Sequence, residues 1–152
     1  MHTLVTFLGS ARLDPKTGYR TARYRFENGA EEETPFFGLA LARQIRPDRV
    51  LVLGTSGSSW PALVEHAVHE GAEEARLALI EASERGKVTQ ALLDSVQPIA
   101  SSALALELRL RVVPYAVDER EQREILAIVG TEIRSGEASF DVTHGLRHLA
   151  LL

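Results

Sequence analysis

The chain has 152 residues, 45% of them apolar and 25% charged, with a net charge of −4 and no cysteine. That length and balance predict one folded domain and set aside the disordered and fibrous classes. Without cysteine there is no disulfide framework, thiolate metal site or cysteine nucleophile, and a net negative chain lacks the broad basic surface that holds long nucleic acid.

A short anionic ligand stays open, because backbone N–H groups and hydroxyls can hold one without registering in the net charge. The opening segment Met1-His2-Thr3-Leu4-Val5 has no basic lead-in of the signal-peptide kind, and nowhere do about 18 apolar residues run uninterrupted. Neither export nor membrane spanning is indicated. The missing cysteines agree with a reducing compartment, so the cytoplasm is the expected location.

Residues 2–8 read as a first strand, nearly continuously apolar through Leu4, Val5, Phe7 and Leu8 and stopped by Gly9-Ser10. Residues 13–18 carry loop signals, and Tyr24-Arg25-Phe26 predicts a half-exposed strand turning at Asn28-Gly29. The acidic run Glu31-Glu32-Glu33 reads as a solvated loop leading into a helix N-terminus. Thr34-Pro35 predicts a capped helix start, with the helix over 36–45 and Pro47 stopping it.

A second apolar strand over 49–53 ends in Gly54-Thr55-Ser56-Gly57-Ser58-Ser59, after which Trp60-Pro61 opens another helix. Residues 62–105 carry about three helical patterns, interrupted near Gly86 and Pro98, where a simple crossover would have one. The next strand is predicted over 106–113. Asp118 with Glu121 forms a capping-box-like start for a helix through Arg134, its buried face made of Ile125, Leu126, Ile128, Val129 and Ile133. A last strand over 139–142 leads into Thr143-His144-Gly145 and an apolar segment ending at Leu152.

Strands alternating with helices predict an α/β fold: a Rossmann-like, mostly parallel sheet with helices on both faces. Ligands of such sheets sit at the strand carboxyl ends. Three such ends stand out, at Gly9-Ser10-Ala11, at Gly54 to Trp60, and at Asp141 to Gly145. Their small residues allow close backbone approach, their hydroxyls add donors, and a helix start favours negative charge, which together describe a phosphate cradle. The second loop matches neither the dinucleotide fingerprint nor the lysine-bearing P-loop, and its plain reading is a βα turn whose serines cap the next helix.

His144 and His148 are four apart, as two metal ligands on a helix face would be, but no obvious third ligand accompanies them, and no metal or cofactor is expected. His66 and His69 fit a helix at its solvent boundary better than a site. Trp60 could stack on a base, although core packing is the preferred reading. For Asp141 the spacing favours a turn cap over a ligand contact.

Asp141-Val142-Thr143-His144-Gly145 followed by Leu146-Arg147 resembles the DxTHG-[FL]-R signature of a CRISPR-associated family whose N-terminal unit is a CARF domain. The rest of the chain keeps the family's order: a first strand ending Gly9-Ser10, then Tyr19-x-Thr21-x-x-Tyr24-x-Phe26, Thr34-Pro35-Phe36-Phe37, Val52-Leu53-Gly54-Thr55 and Val113-Pro114-Tyr115. The resemblance spans nearly all of residues 1–152. It implies a Rossmann-like domain that forms a homodimer and binds a cyclic oligoadenylate, often the tetra-adenylate, across the two-fold axis. In that family the ligand is the second messenger of type III CRISPR antiviral defence, and it switches on an attached effector, commonly a HEPN ribonuclease.

Residue by residue, the resemblance implies a ligand-binding set of Gly9, Ser10, Ala11, Gly54, Thr55, Ser56, Thr143, His144, Gly145 and Arg147, with Arg147 as the cation facing the ring phosphates. The chain ends where the family usually continues, so residues 1–152 are expected to be one CARF-like domain lacking its C-terminal end and effector. A second reading is a ring nuclease that opens the ligand without metal by placing a ribose hydroxyl in line with the adjacent phosphate, with Ser10, Thr55 and His144 as catalytic candidates. A third is an unrelated nucleotide-binding α/β enzyme.

Overall fold

Strand β1 (His2–Leu8) is followed by two small antiparallel ribbons, β2 (Leu13–Asp14) with β3 (Gly18–Tyr19) and β4 (Ala22–Arg25) with β5 (Glu31–Thr34). Then come α1 (Phe37–Ile45), β6 (Arg49–Gly54), α2 (Trp60–Ala67), α3 (Glu73–Glu84), α4 (Gln90–Leu104), β7 (Glu107–Val112), α5 (Glu119–Glu132) and β8 (Glu137–Phe140). The computed structural model describes residues 1–10, 13–14, 18–19 and 21–143.

The main sheet has the order β7-β6-β1-β8, and every neighbouring pair in it is parallel. Central strands of such a sheet are covered on both faces, which is why β1 and β6 are apolar without alternation. On one face Leu4, Val50, Val52, Leu108 and Leu110 pack with Leu39, Trp60, Leu63, Leu79 and Leu93 of α1 to α4. On the other, Val5, Leu51 and Leu53 pack with Val113, Ala116 and Ile125, the last from α5. This is the expected Rossmann-like α/β architecture. No helix among the described residues is long and apolar enough to cross a membrane.

Order and connection together place the reversal of strand order beside β1. The chain moves outward from β1 to β6 and β7, and α5 then returns it to the opposite side of β1, where β8 pairs His2 with Glu137 and Val5 with Phe140. A crevice at the carboxyl ends of β1 and β8 follows from that reversal.

Several local expectations are corrected. Within 13–18, read as loop, Leu13, Asp14 and Gly18 take part in the β2–β3 ribbon. The acidic run is strand β5, not a solvated loop: Arg23 faces Glu33 and Arg25 faces Glu31 across the β4–β5 pair, and Arg43 of α1 pairs with Glu32. Cross-strand cations explain how three consecutive glutamates sit in a strand. The first helix begins at Phe37, later than expected. Thr34 Oγ1 accepts from Phe36 N at 3.0 Å while Thr34 itself ends β5, and no side chain caps α1.

The three helices between β6 and β7 are present, but Pro98 lies inside α4 and does not break it. The breaks fall at the positive-φ glycines 71 and 86. Leu93, Val96 and Ala100 hold α4 against the core despite the missing proline N–H. On α5, Ile125 is buried and Ile128, Val129 and Ile133 pack beside it, whereas Leu126 is exposed because it lies a hundred-degree step around the helix. The last strand runs over Glu137–Phe140, two residues earlier than expected. The apolar segment 146–152 lies outside the described residues.

Candidate functional site at the carboxyl edge of the sheet

Parallel register brings the predicted strand ends to one edge. Leu8 pairs with Gly54 and Gly54 with Val112, so the segments after β1, β6 and β7 leave the sheet side by side. Asp141 N donates to Val5 O at 2.8 Å, which brings the segment after β8 alongside β1.

The first two loops are bonded to each other. Ser59 N donates to Gly9 O at 3.0 Å, Ser58 Oγ to Leu8 O at 2.7 Å, and Ser10 Oγ to Gly57 O at 3.1 Å. Within the second loop, Ser58 Oγ accepts from Thr55 N at 2.9 Å and lies 3.2 Å from Thr55 Oγ1. Trp60 is fully buried, with Nε1 donating to Thr55 O at 2.8 Å, so it packs in the core as preferred and offers no face to a base. A Cβ on Gly54 would meet the Trp60 ring at 2.6 Å, so the space at this glycine is filled by the indole. At Gly9 a Cβ would meet nothing within 4 Å, leaving the backbone open to approach.

The amides of Ser10 and Ser56 have no hydrogen-bond partner among the described residues. Both sit on loops at the edge. Free amides of this kind, beside the start of an eight-residue helix with Pro61 in its first turn, suit an anion.

Asp141 is 4% exposed and fully engaged. Its Oδ2 accepts from Thr6 Oγ1 at 2.7 Å and its Oδ1 from Thr143 N at 3.0 Å. The carboxylate therefore caps the turn, as the spacing favours, and ties that turn to β1. Thr143 is exposed at the last described position, while Ala11, His144, Gly145 and Arg147 lie outside the described residues.

A cavity of about 470 Å³ opens between the end of β1 and the first turns of α1 and α2. Phe7, Phe36, Leu39 and Leu63 give it apolar walls, and Gly9, Ser10 and Ser59 line its polar side. This is the size of a small-molecule pocket. Thr55 and Ser56 are not among its lining residues. They stand on the neighbouring crest, linked to the cavity through the Ser10–Gly57 bond.

Three residues of this edge stand outside the ligand-binding set expected from sequence. Thr6, unremarked within the first predicted strand, lines the cavity and donates to Asp141. Gly57 accepts from Ser10 and leaves room for Tyr115, whose hydroxyl would be 3.0 Å from a Cβ there. Tyr115 stands at the β7 end, its OH 3.3 Å from Ser56 Oγ. Hydrogen bonding by Ser56, then by Thr55, draws its phenol below the ordinary tyrosine value against the opposing effect of burial, with the Gly57 backbone adding least. The usable signal was its place, two residues past the strand expected over 106–113 of the same parallel sheet.

His66 and His69 are away from this edge, near the end of α2. His66 lies edge-on to Phe36 with ring centroids 5.4 Å apart, and His69 is exposed. Burial, then the nearby Arg43 and His69 charges, lower the His66 pKa.

Comparison with known proteins bears on what this edge does. A family model described as the CRISPR system endoribonuclease Csx1, CARF domain, matches residues 3–152. CRISPR-associated protein MJ1674 of Methanocaldococcus jannaschii is 25% identical over 160 aligned residues, covering 90% of this chain and 25% of that protein. The chain spans about a quarter of the length of that curated relative.

Proposed function

Because the chain belongs to the CARF-domain family of the CRISPR system endoribonuclease Csx1, we propose that it senses a cyclic oligoadenylate, with the cyclic tetra-adenylate as ligand, in type III CRISPR defence. In this reading residues 1–152 form one CARF domain, two copies bind one ring across a two-fold axis, and the protein acts in the cytoplasm. Each copy presents Gly9, Ser10, Ala11, Thr55, Ser56, Thr143, His144, Gly145 and Arg147 to half of the ring, while Gly54, packed against Trp60, ends the strand that carries Thr55 and Ser56.

The observation that carries the reading is the joining of the β1 and β6 ends at one edge, with open backbone at Gly9 and amides at Ser10 and Ser56 that have no partner among the described residues. Repeated phosphates are well served by backbone N–H donors, and two-fold symmetry doubles the donor set for a ring with its own internal symmetry. The apolar cavity beside Ser10 adds a place where part of a nucleoside can leave water.

Titration calorimetry with cyclic tetra-adenylate and cyclic hexa-adenylate tests this. Saturable heat at one ring per two chains, with the tetra-adenylate bound more tightly, is the expected result. No heat with either ring would sink the reading. Incubating the same mixture in EDTA and separating the products by chromatography reads out ring opening directly, and an intact ring at excess protein assigns binding alone.

A further inference from the structure

We propose that Tyr115 is a purine-stacking residue that selects the base of the bound nucleotide, an inference that rests on the ligand reading above and deepens it. Tyr115 is 54% exposed even though its hydroxyl is tied to Ser56 Oγ at 3.3 Å. An aromatic residue held at its polar tip and otherwise more than half exposed is suited to receive a flat partner.

The backbone around it is held as firmly as the side chain. Val113 N donates to Gly54 O at 2.8 Å, extending the β6–β7 pairing by one residue. Pro114 fixes its own φ. Ala116 then takes a positive φ of 58° and is buried in the cluster beneath α5. Tyr115 is therefore displayed between two anchored neighbours. A ring ordered in advance loses little freedom when a base covers it.

Its location connects it to the proposed phosphate contacts. Tyr115 touches the Ser56 and Gly57 crest, and Gly57 O accepts from Ser10 Oγ, so one chain of contacts runs from the β7 end through β6 to β1. Amides and hydroxyls at the strand tips hold phosphate and sugar without reading the base. Stacking supplies a base-dependent contribution, larger for a two-ring purine than for a pyrimidine, and with Trp60 buried the exposed aromatic residue described on this crest is Tyr115.

Calorimetry of wild type, Tyr115→Phe, Tyr115→Leu and Tyr115→Ala against cyclic tetra-adenylate and cyclic tetra-uridylate tests the inference, with thermal melts confirming that each variant is folded. Tyr115→Phe keeps the face and is expected to bind the adenylate within about threefold of wild type. Tyr115→Leu and Tyr115→Ala are expected to lose roughly five- to a hundredfold and to narrow the adenylate-over-uridylate preference. Wild-type affinity in the leucine and alanine variants would overturn the stacking role while leaving the ligand reading intact. An equal loss in Tyr115→Phe would show that the hydroxyl merely pins the crest and would overturn it too, whereas a wild-type chain that binds neither ring would remove both the ligand reading and this inference.

Discussion

Gly38 shows how one missing side chain shapes the ligand edge. A Cβ there would fall 2.3 Å from Thr6 Oγ1, the atom that donates to Asp141. The glycine thus lets α1 approach β1 closely while the threonine hydroxyl stays turned to the carboxylate. Gly38→Ala is expected to destabilise the fold by about 1–3 kcal/mol, measured by urea unfolding, since overpacking against a rigid strand has that scale. A wild-type midpoint would mean that the helix can retreat without loss. The cap at Asp141 was legible because its partner, Thr143, is two residues away. The Gly38–Thr6 contact was not, because nothing near Gly38 in sequence says what lies opposite.

Helix and strand limits were legible where the deciding interaction is local. Asp118 Oδ1 accepts from Glu121 N at 2.8 Å, as its spacing predicts, and Glu121 Oε2 reaches back to Val117 N at 3.0 Å. Asp118→Ala should cost about 0.5–2 kcal/mol of stability in thermal or urea unfolding, with Asp118→Asn retaining most of it. Equal loss in both would argue that the charge matters and not the cap. Where the deciding partner is distant, the sequence misled. Glu31 to Glu33 read as loop because their cations, Arg23, Arg25 and Arg43, come from another strand and a helix. Pro98 read as a break because the packing that keeps α4 continuous is tertiary.

For the molecule as a whole, the parallel order was implied by alternating strands and helices, while the position of β8 beyond β1 had to be seen, since the sequence does not say on which side α5 returns the chain. Global stability should also respond to pH through His66. Burial first, and then Arg43 and His69, hold its folded pKa below the ordinary histidine value, so the unfolded chain binds that proton more readily. This contribution is complete above the unfolded pKa and is lost as pH falls from about 7 toward 5. His66→Gln should flatten that part of the melting-temperature profile, and an unchanged slope would discount the group.

The seam between β1 and β8 has a consequence of its own. The outermost strand β8 pairs with β1 over only four residues, and the Thr6–Asp141 bond tethers its far end. Short outer strands are the first to peel away. A molecule gripping both Ser10 and Thr143 would span that seam like a clasp, so occupancy would fasten the margin of the sheet and couple recognition to the firmness of the fold itself.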